Sequence, residues 1–303
     1  MTVPTAGGPD PSSRPGRLTV GVVGTGRVGA ILGAALAAAG HHVVAASGVS
    51  EQARARADAL LPGVPVVTPP EVLAAADLVL LAVPDDALGP LAAGLAATGA
   101  VRAGQLLAHP SGRYGTRILD PATAAGALPL ALHPVMTFTG TSLDLGRLVG
   151  CSFGVTAPEP LRPVAEALVL EMGGEPVWVA ESARPLYHAA LAHGSNHLVT
   201  LVAQSMDLLV EAGVADPGRM LAPLLGASLD NALRTGDLAT TGPVVRGDAG
   251  TVLEHVRAIG LVSPEILATY RALARATADR AIVGHRLQPA AAEALLDALA
   301  GDP

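Results

Sequence analysis

Gly24-Thr25-Gly26-Arg27-Val28-Gly29 combines residue types and spacing suited to holding a diphosphate. The first glycine permits a tight turn and the second lets main chain approach the phosphates. The third lets a helix pack close to a strand. Free N–H groups at the mouth of such a helix attract anions, so all six residues are expected at a dinucleotide. Histidines supply a second resource. His109-Pro110-Ser111-Gly112 and His133-Pro134 each follow an apolar run, and Tyr187-His188 precedes His193-Gly194-Ser195-Asn196-His197. A third is the polar, turn-rich loop Thr241-Gly242-Pro243-Val244-Val245-Arg246-Gly247-Asp248. There Arg246 offers a planar fork suited to a carboxylate, and Asp248 either orients that arginine or caps the next helix. All 19 basic residues are arginine, which excludes Schiff-base chemistry and lysine acids. Proton transfer falls to His, Asp, Glu, Tyr or water.

These groups need strands that end where ligands bind. The apolar run 18–23 leads into the glycines, and 28–39 continues as a helix. Strand-like runs at 42–47, 64–67, 78–83, 105–108, 128–132, 151–156 and 176–179 alternate with helical stretches, as a doubly wound, mostly parallel α/β sheet requires. Ligands sit outside the carboxyl ends of such strands. Val83 and Pro84 are therefore expected to border the cofactor. His109 and His133 fall on the same edge, shaping the nicotinamide end or the substrate pocket.

The second strand ends at Ser47, with no carboxylate before Glu51 to hold a ribose 2′-hydroxyl. A small hydroxyl there leaves room for a 2′-phosphate, with Arg54 or Arg56 in reach. NADP is the expected cofactor and NAD the alternative.

After about Ser182 strand signals stop. Helical patterns follow over 186–212, 219–234, 251–258, 264–283 and 289–300. The expected organisation is a disordered tail (1–16), a dinucleotide-binding domain (17–157), a connecting helix and strand (158–184) and a helical substrate domain (185–303). On the long helix His188, Ala192, Ser195 and Asn196 share one face. That stripe is small and polar, and it is expected to border a cleft. His193 and His197 have a chelating spacing but no glutamate between them and no third ligand, so no metal is expected. The net charge of −7 argues against nucleic acid. No apolar run is long enough for a membrane span, and a cytoplasmic protein is expected.

The runs G-V-V-G-T-G-R-V-G, A-D-L-V-L-L-A-V-P-D, H-P-S-G, A-L-H-P-V-M-T-F, Y-H-A-A-L-A-H-G-S-N and T-G-P-V-V-R-G-D occur in this order. Over about residues 17–285 the chain resembles a family of bacterial Rossmann-like proteins with a C-terminal domain of unknown function. That family is related to the pyrroline-5-carboxylate reductase and 6-phosphogluconate dehydrogenase superfamily. The resemblance implies a Rossmann domain, an all-α 6-phosphogluconate-dehydrogenase-like C-terminal domain, a homodimer formed through the helices, and nicotinamide-dependent redox chemistry. Some members resemble an alternative ketopantoate reductase, which would place the chain in pantothenate biosynthesis. β-Hydroxyacid dehydrogenases of the superfamily carry a catalytic lysine four residues before an asparagine. If Asn196 is that asparagine, the lysine position is Ala192.

The expected mechanism follows from these placements. Arg246, in a loop with Thr241 and Asp248, holds a substrate carboxylate, while Asn196 and Ser111 position a carbonyl or imine. His188 supplies the proton, with His133 in reserve. The alternatives are a cyclic-imine reductase of the pyrroline-5-carboxylate type and a non-catalytic NADP(H)-binding redox sensor.

Overall fold

The computed structural model describes residues 16–300, so nearly all of the 1–16 tail lies outside the described residues. The chain divides into two compact units, the break falling after His193.

In the first unit, β1 (Thr19–Val23) runs into α1 (Arg27–Ala38), followed by β2 (His42–Ser47), α2 (Glu51–Leu60), α3 (Pro69–Ala75), β3 (Leu78–Leu81) and α4 (Asp85–Ala97). Next come β4 (Leu106–His109), α5 (Asp120–Ala124), β5 (Leu128–Pro134), α6 (Leu143–Leu148), β6 (Ser152–Thr156), α7 (Arg162–Glu171) and β7 (Glu175–Trp178). The seven strands form one sheet in the order β2-β1-β3-β4-β5-β6-β7. Every neighbouring pair is parallel except β5 and β6.

The local sequence explains this layout. β3, Leu-Val-Leu-Leu, is buried along its whole length because helices cover both faces of a central parallel strand. One core cluster (Val20, Val22, Leu80, Leu130 and others) and a second (Val23, Val79, Leu81, Leu107 and others) take alternate residues of the same strands, one on each face. Edge strand β7 is largely exposed and carries Pro176, as an edge tolerates.

Two expectations change. Residues 158–184 were expected to connect the domains, but α7 and β7 extend the sheet itself. The run 64–67 makes only one parallel bridge, Ala46 to Val66, in place of a strand.

The helix α8 (Arg184–Glu211) starts in the first unit and ends in the second. The second unit continues with α9 (Pro217–Thr235), α10 (Pro243–Arg246), α11 (Ala249–Val262), α12 (Pro264–Val283) and α13 (Pro289–Ala300). Its core joins Val244, Val252, Val256, Leu267, Ala278, Leu295 and Leu299. Ser263 caps α12 by accepting from Ile266 N at 3.2 Å, and Pro264 fills the position where a helix needs no N–H.

Candidate active site of the sheet unit

The three glycines of the first turn have three different reasons to lack a side chain. Gly24 sits at φ +97°, and a Cβ there would strike the Ala82 carbonyl. A Cβ on Gly29 would strike the Gly24 carbonyl and come within 2.7 Å of the Ala82 Cβ. Both serve the fit between strand and helix. Gly26 differs: it has extended backbone, and a Cβ would meet nothing within 4 Å. Nothing in the protein demands glycine there. The space beside it adjoins the amides that open α1, which have no intrahelical acceptors. A diphosphate approaching main chain fits that cradle.

The loop is fastened from behind. The Ser47 carbonyl accepts from Gly24 N (2.9 Å) and Thr25 N (3.0 Å), and the buried Thr25 hydroxyl donates to Ala53 O at 2.9 Å. Thr25, expected to touch the cofactor, instead fastens the turn, and the Ser47 main chain holds it from the end of β2. Thr25 has no exposed surface and its polar groups are engaged.

A cavity of about 440 Å³ opens at the carboxyl edge of the sheet. Gly26, Arg27 and Val28 line one side, and Val83, Pro84 and Asp85 follow from the end of β3. Ser111 and Gly112 come from the loop after β4, His133 from β5, and His188 from the first turns of α8. The expected Gly26, Arg27, Val28, Val83, Pro84, Ser111, His133 and His188 are thus brought together.

Gly112 lies between the two rings. A Cβ there would come within 2.9 Å of His133 Nε2 and of His188 Cδ2. His133 Nδ1 shares a 2.8 Å hydrogen bond with the Tyr187 hydroxyl, and the rings meet edge to face. Burial first, then the nearby positive charge of Arg184 and the neighbouring His188 ring, lower the His133 pKa to about 4. His133 was the reserve proton donor; being uncharged at neutral pH, it can offer only a hydrogen bond.

His109 also departs from expectation. It is buried, Nε2 pairs with Gly115 O at 2.8 Å, and Nδ1 accepts from Ser111 N at 3.2 Å. Burial lowers its pKa to about 4. Both ring nitrogens hold the 109–115 loop, so His109 positions Ser111 and does not reach a ligand.

Arg184 is the functional residue that sequence reasoning missed. It has no exposed surface, although it carries a charge. Nε donates to Thr156 Oγ1 (2.8 Å) and Nη1 to Ser111 O (3.2 Å), while Nη2 donates to Ala131 O (3.2 Å) and Gly154 O (2.9 Å). One guanidinium therefore ties β5, β6 and the Ser111 loop together beneath the cavity. A signal was present: arginine at the first position of a helix opposes the macrodipole, so it needs another reason to be there.

The remaining expected residues belong to the second unit. Asn196 is exposed on α8, and Thr241 is exposed on the wall of a cavity of about 290 Å³ that also includes Gln204 and Tyr270. Arg246 is exposed at the end of α10. Asp248 was expected to bind substrate. Its Oδ1 accepts from Thr251 N (3.1 Å) and its Oδ2 from the Thr251 hydroxyl (2.7 Å), so it caps α11. Among the described residues no group of His, Cys, Asp and Glu could hold a metal, and no helix is long and apolar enough to cross a membrane.

Comparison with known proteins agrees with this architecture. Residues 1–134 match the model of a Rossmann-like domain, and residues 151–277 match a domain of unknown function, DUF2520. No curated protein matches the chain. Among solved structures, a Bacteroides fragilis protein provisionally named an NADP oxidoreductase shares 20% identity at TM-score 0.71, covering 87% of this chain and 98% of its own. A Thermotoga maritima protein shares 21% at TM-score 0.66, covering 88% and 100%. A pyrroline carboxylate reductase from Plasmodium falciparum, solved with NADP bound, shares 14% at TM-score 0.55, covering 93% and 98%. The chain therefore joins a Rossmann-like domain to a DUF2520 domain, the pairing its sequence motifs resemble.

Proposed function

We propose that this chain is an NADP-dependent oxidoreductase that reduces a C=O or C=N bond in a small carboxylate-bearing substrate. The observation that carries this reading is the single cavity that joins the open edge of Gly26 to Ser111, His133 and His188. When bound, the nicotinamide supplies hydride; the protein supplies orientation and protons. The opening amides of α1 hold the diphosphate. Burial raises the Tyr187 pKa and keeps its O–H, and in this reading that O–H is the donor in the 2.8 Å hydrogen bond to His133 Nδ1. The ring proton of His133 then sits on Nε2, the atom beside Gly112, where it can hydrogen-bond the substrate's reacting heteroatom. Ser111 lies on the same wall, and His188 delivers the proton.

Ketopantoate is the 2-keto acid we favour. Cyclic imines are the second reading, supported by the kinship in fold to a pyrroline carboxylate reductase. NADPH oxidation with ketopantoate and with pyrroline-5-carboxylate separates the two. Binding of NADPH with no turnover on either class would favour the sensor. Gly26→Ala tests the core of the proposal. The added methyl enters open space, so melting temperature should stay within a degree or two while NADPH affinity falls at least tenfold, about 1.4 kcal/mol. Unchanged affinity in isothermal titration would remove the diphosphate from this turn.

The proposal includes a homodimer formed through the second unit. α9 buries none of its residues, and Met220, Leu224, Leu229 and Leu233 are each at least half exposed. Leu198 and Val199 of α8 add to the exposed apolar surface. A second copy brings the same apolar surface and can cover it reciprocally. Light scattering should give twice the 30.1 kDa chain mass, and Leu224→Glu with Leu233→Glu should return it to the monomer.

A further inference from the structure

The second unit contains a cavity of its own, of about 290 Å³, that the proposed chemistry does not use. Its walls come from the later turns of α8, the stretch 240–244, α11 and α12. Leu208, Val244, Ile259, Ile266 and Ala274 give it an aliphatic surface, and all five are buried or half-buried. No charged side chain lines it. An ion entering such a space would give up its hydration and meet no countercharge. The cavity is thereby set apart from a site for a carboxylate-bearing substrate.

One polar group of the wall is left over. Gln204 Nε2 donates to Thr269 Oγ1 at 3.2 Å, while Gln204 Oε1 is buried with no hydrogen-bond partner among the described residues. Turning the amide end for end only exchanges the roles: the Thr269 hydroxyl meets either end, and the other stays unpaired. Neighbouring polar groups are already engaged. Ser205 Oγ donates to Leu201 O at 2.8 Å, and the Tyr270 hydroxyl shares a 2.9 Å hydrogen bond with His255 Nδ1. A buried amide end without a partner costs the fold its desolvation, and native proteins keep few such atoms. A hydroxyl group both donates and accepts, so it satisfies either end.

We propose that this cavity is a second binding site, for a small uncharged molecule with a largely hydrocarbon body and a hydroxyl group hydrogen-bonded to the Gln204 carboxamide. Apolar walls with a few placed polar groups are the usual make-up of a small-molecule site. The inference stands apart from the dinucleotide reading, because every residue it uses belongs to the second unit.

The test is a titration of the full-length protein, labelled with carbon-13 at its isoleucine methyl groups, with benzyl alcohol, toluene, benzoate and benzylamine. Ile259 and Ile266 line the cavity, whereas Ile31 and Ile118 lie in the sheet unit and serve as the control. Benzyl alcohol should move the Ile259 and Ile266 signals and leave Ile31 and Ile118 in place. It should bind about fivefold tighter than toluene, the return on one neutral hydrogen bond. Benzoate and benzylamine should move neither cavity signal. Gln204→Leu should bring benzyl alcohol and toluene to within about twofold of each other. If that variant fails to fold, the four probes on the unaltered protein still decide. Unmoved Ile259 and Ile266 signals with benzyl alcohol, binding of benzoate as tight as that of the alcohol, or an unchanged preference in Gln204→Leu would each overturn the proposal. Binding of the alcohol only as light scattering falls to the mass of one chain would assign the cavity to a second copy and overturn it too.

Discussion

Arg184→Ala is expected to lower folding stability by about 3–5 kcal/mol, read as a shift of the urea midpoint at unchanged slope. The substitution removes four hydrogen bonds from a charged donor at once. It leaves the carbonyls of Ser111, Ala131 and Gly154 and the Thr156 hydroxyl facing a hole. Two opposing terms limit the loss. Ala131 and Gly154 lie in paired strands and retain ladder neighbours, and the buried guanidinium itself carries a desolvation penalty, which lowers its own pKa. Arg184→Met separates the effects, since it restores much of the volume without the donors and should recover only part of the stability. A loss below about 1 kcal/mol for the alanine variant would show that the sheet and the Ser111 loop hold together without this residue.

The second large effect is with pH. His109 has a pKa of about 4 in the folded chain against 6.5 as its ordinary value, because burial opposes its charged form. Between these limits the unfolded chain takes up a proton that the native chain refuses. Stability therefore falls as pH drops from 6.5 to about 4, by about 3 kcal/mol from this residue alone, and its contribution is complete above 6.5. His133 acts in the same direction, with less effect because it retains some solvent exposure. His109→Gln should flatten the melting temperature between pH 6.5 and 4.5 relative to the unaltered protein. Parallel curves for the two proteins would mean that His109 is accessible to protons in the native state.

The outcomes for the two strand-end histidines show where sequence reading stops. His109-Pro110 and His133-Pro134 look alike as sequence, and both stand at the carboxyl edge of the sheet. His109 points back beneath its own loop to Gly115, whereas His133 borders the cavity. Side-chain direction at a strand end depends on the loop that follows, and no period in the sequence encodes that loop's path. Helices with their own end signals were readable: α12 starts at the Ser263 cap with Pro264, and α13 starts at Pro289, both at the expected residues. The glycine turn was readable because Gly24 and Gly29 answer to the local fit of strand and helix. Thr25 was misjudged because the partner of its hydroxyl, Ala53 O, comes from another element. Arg184 lay outside the expected site because its four acceptors stand between 28 and 73 residues before it in the chain. The run at 64–67 has strand composition but finds only the Ala46–Val66 bridge.

The open edge beside Gly26 has a thermodynamic corollary. A nucleotide resting there at a hundred times its dissociation constant adds about 2.7 kcal/mol to the folded state. On the reading proposed above, the melting temperature of the protein would then rise with the concentration of nucleotide supplied.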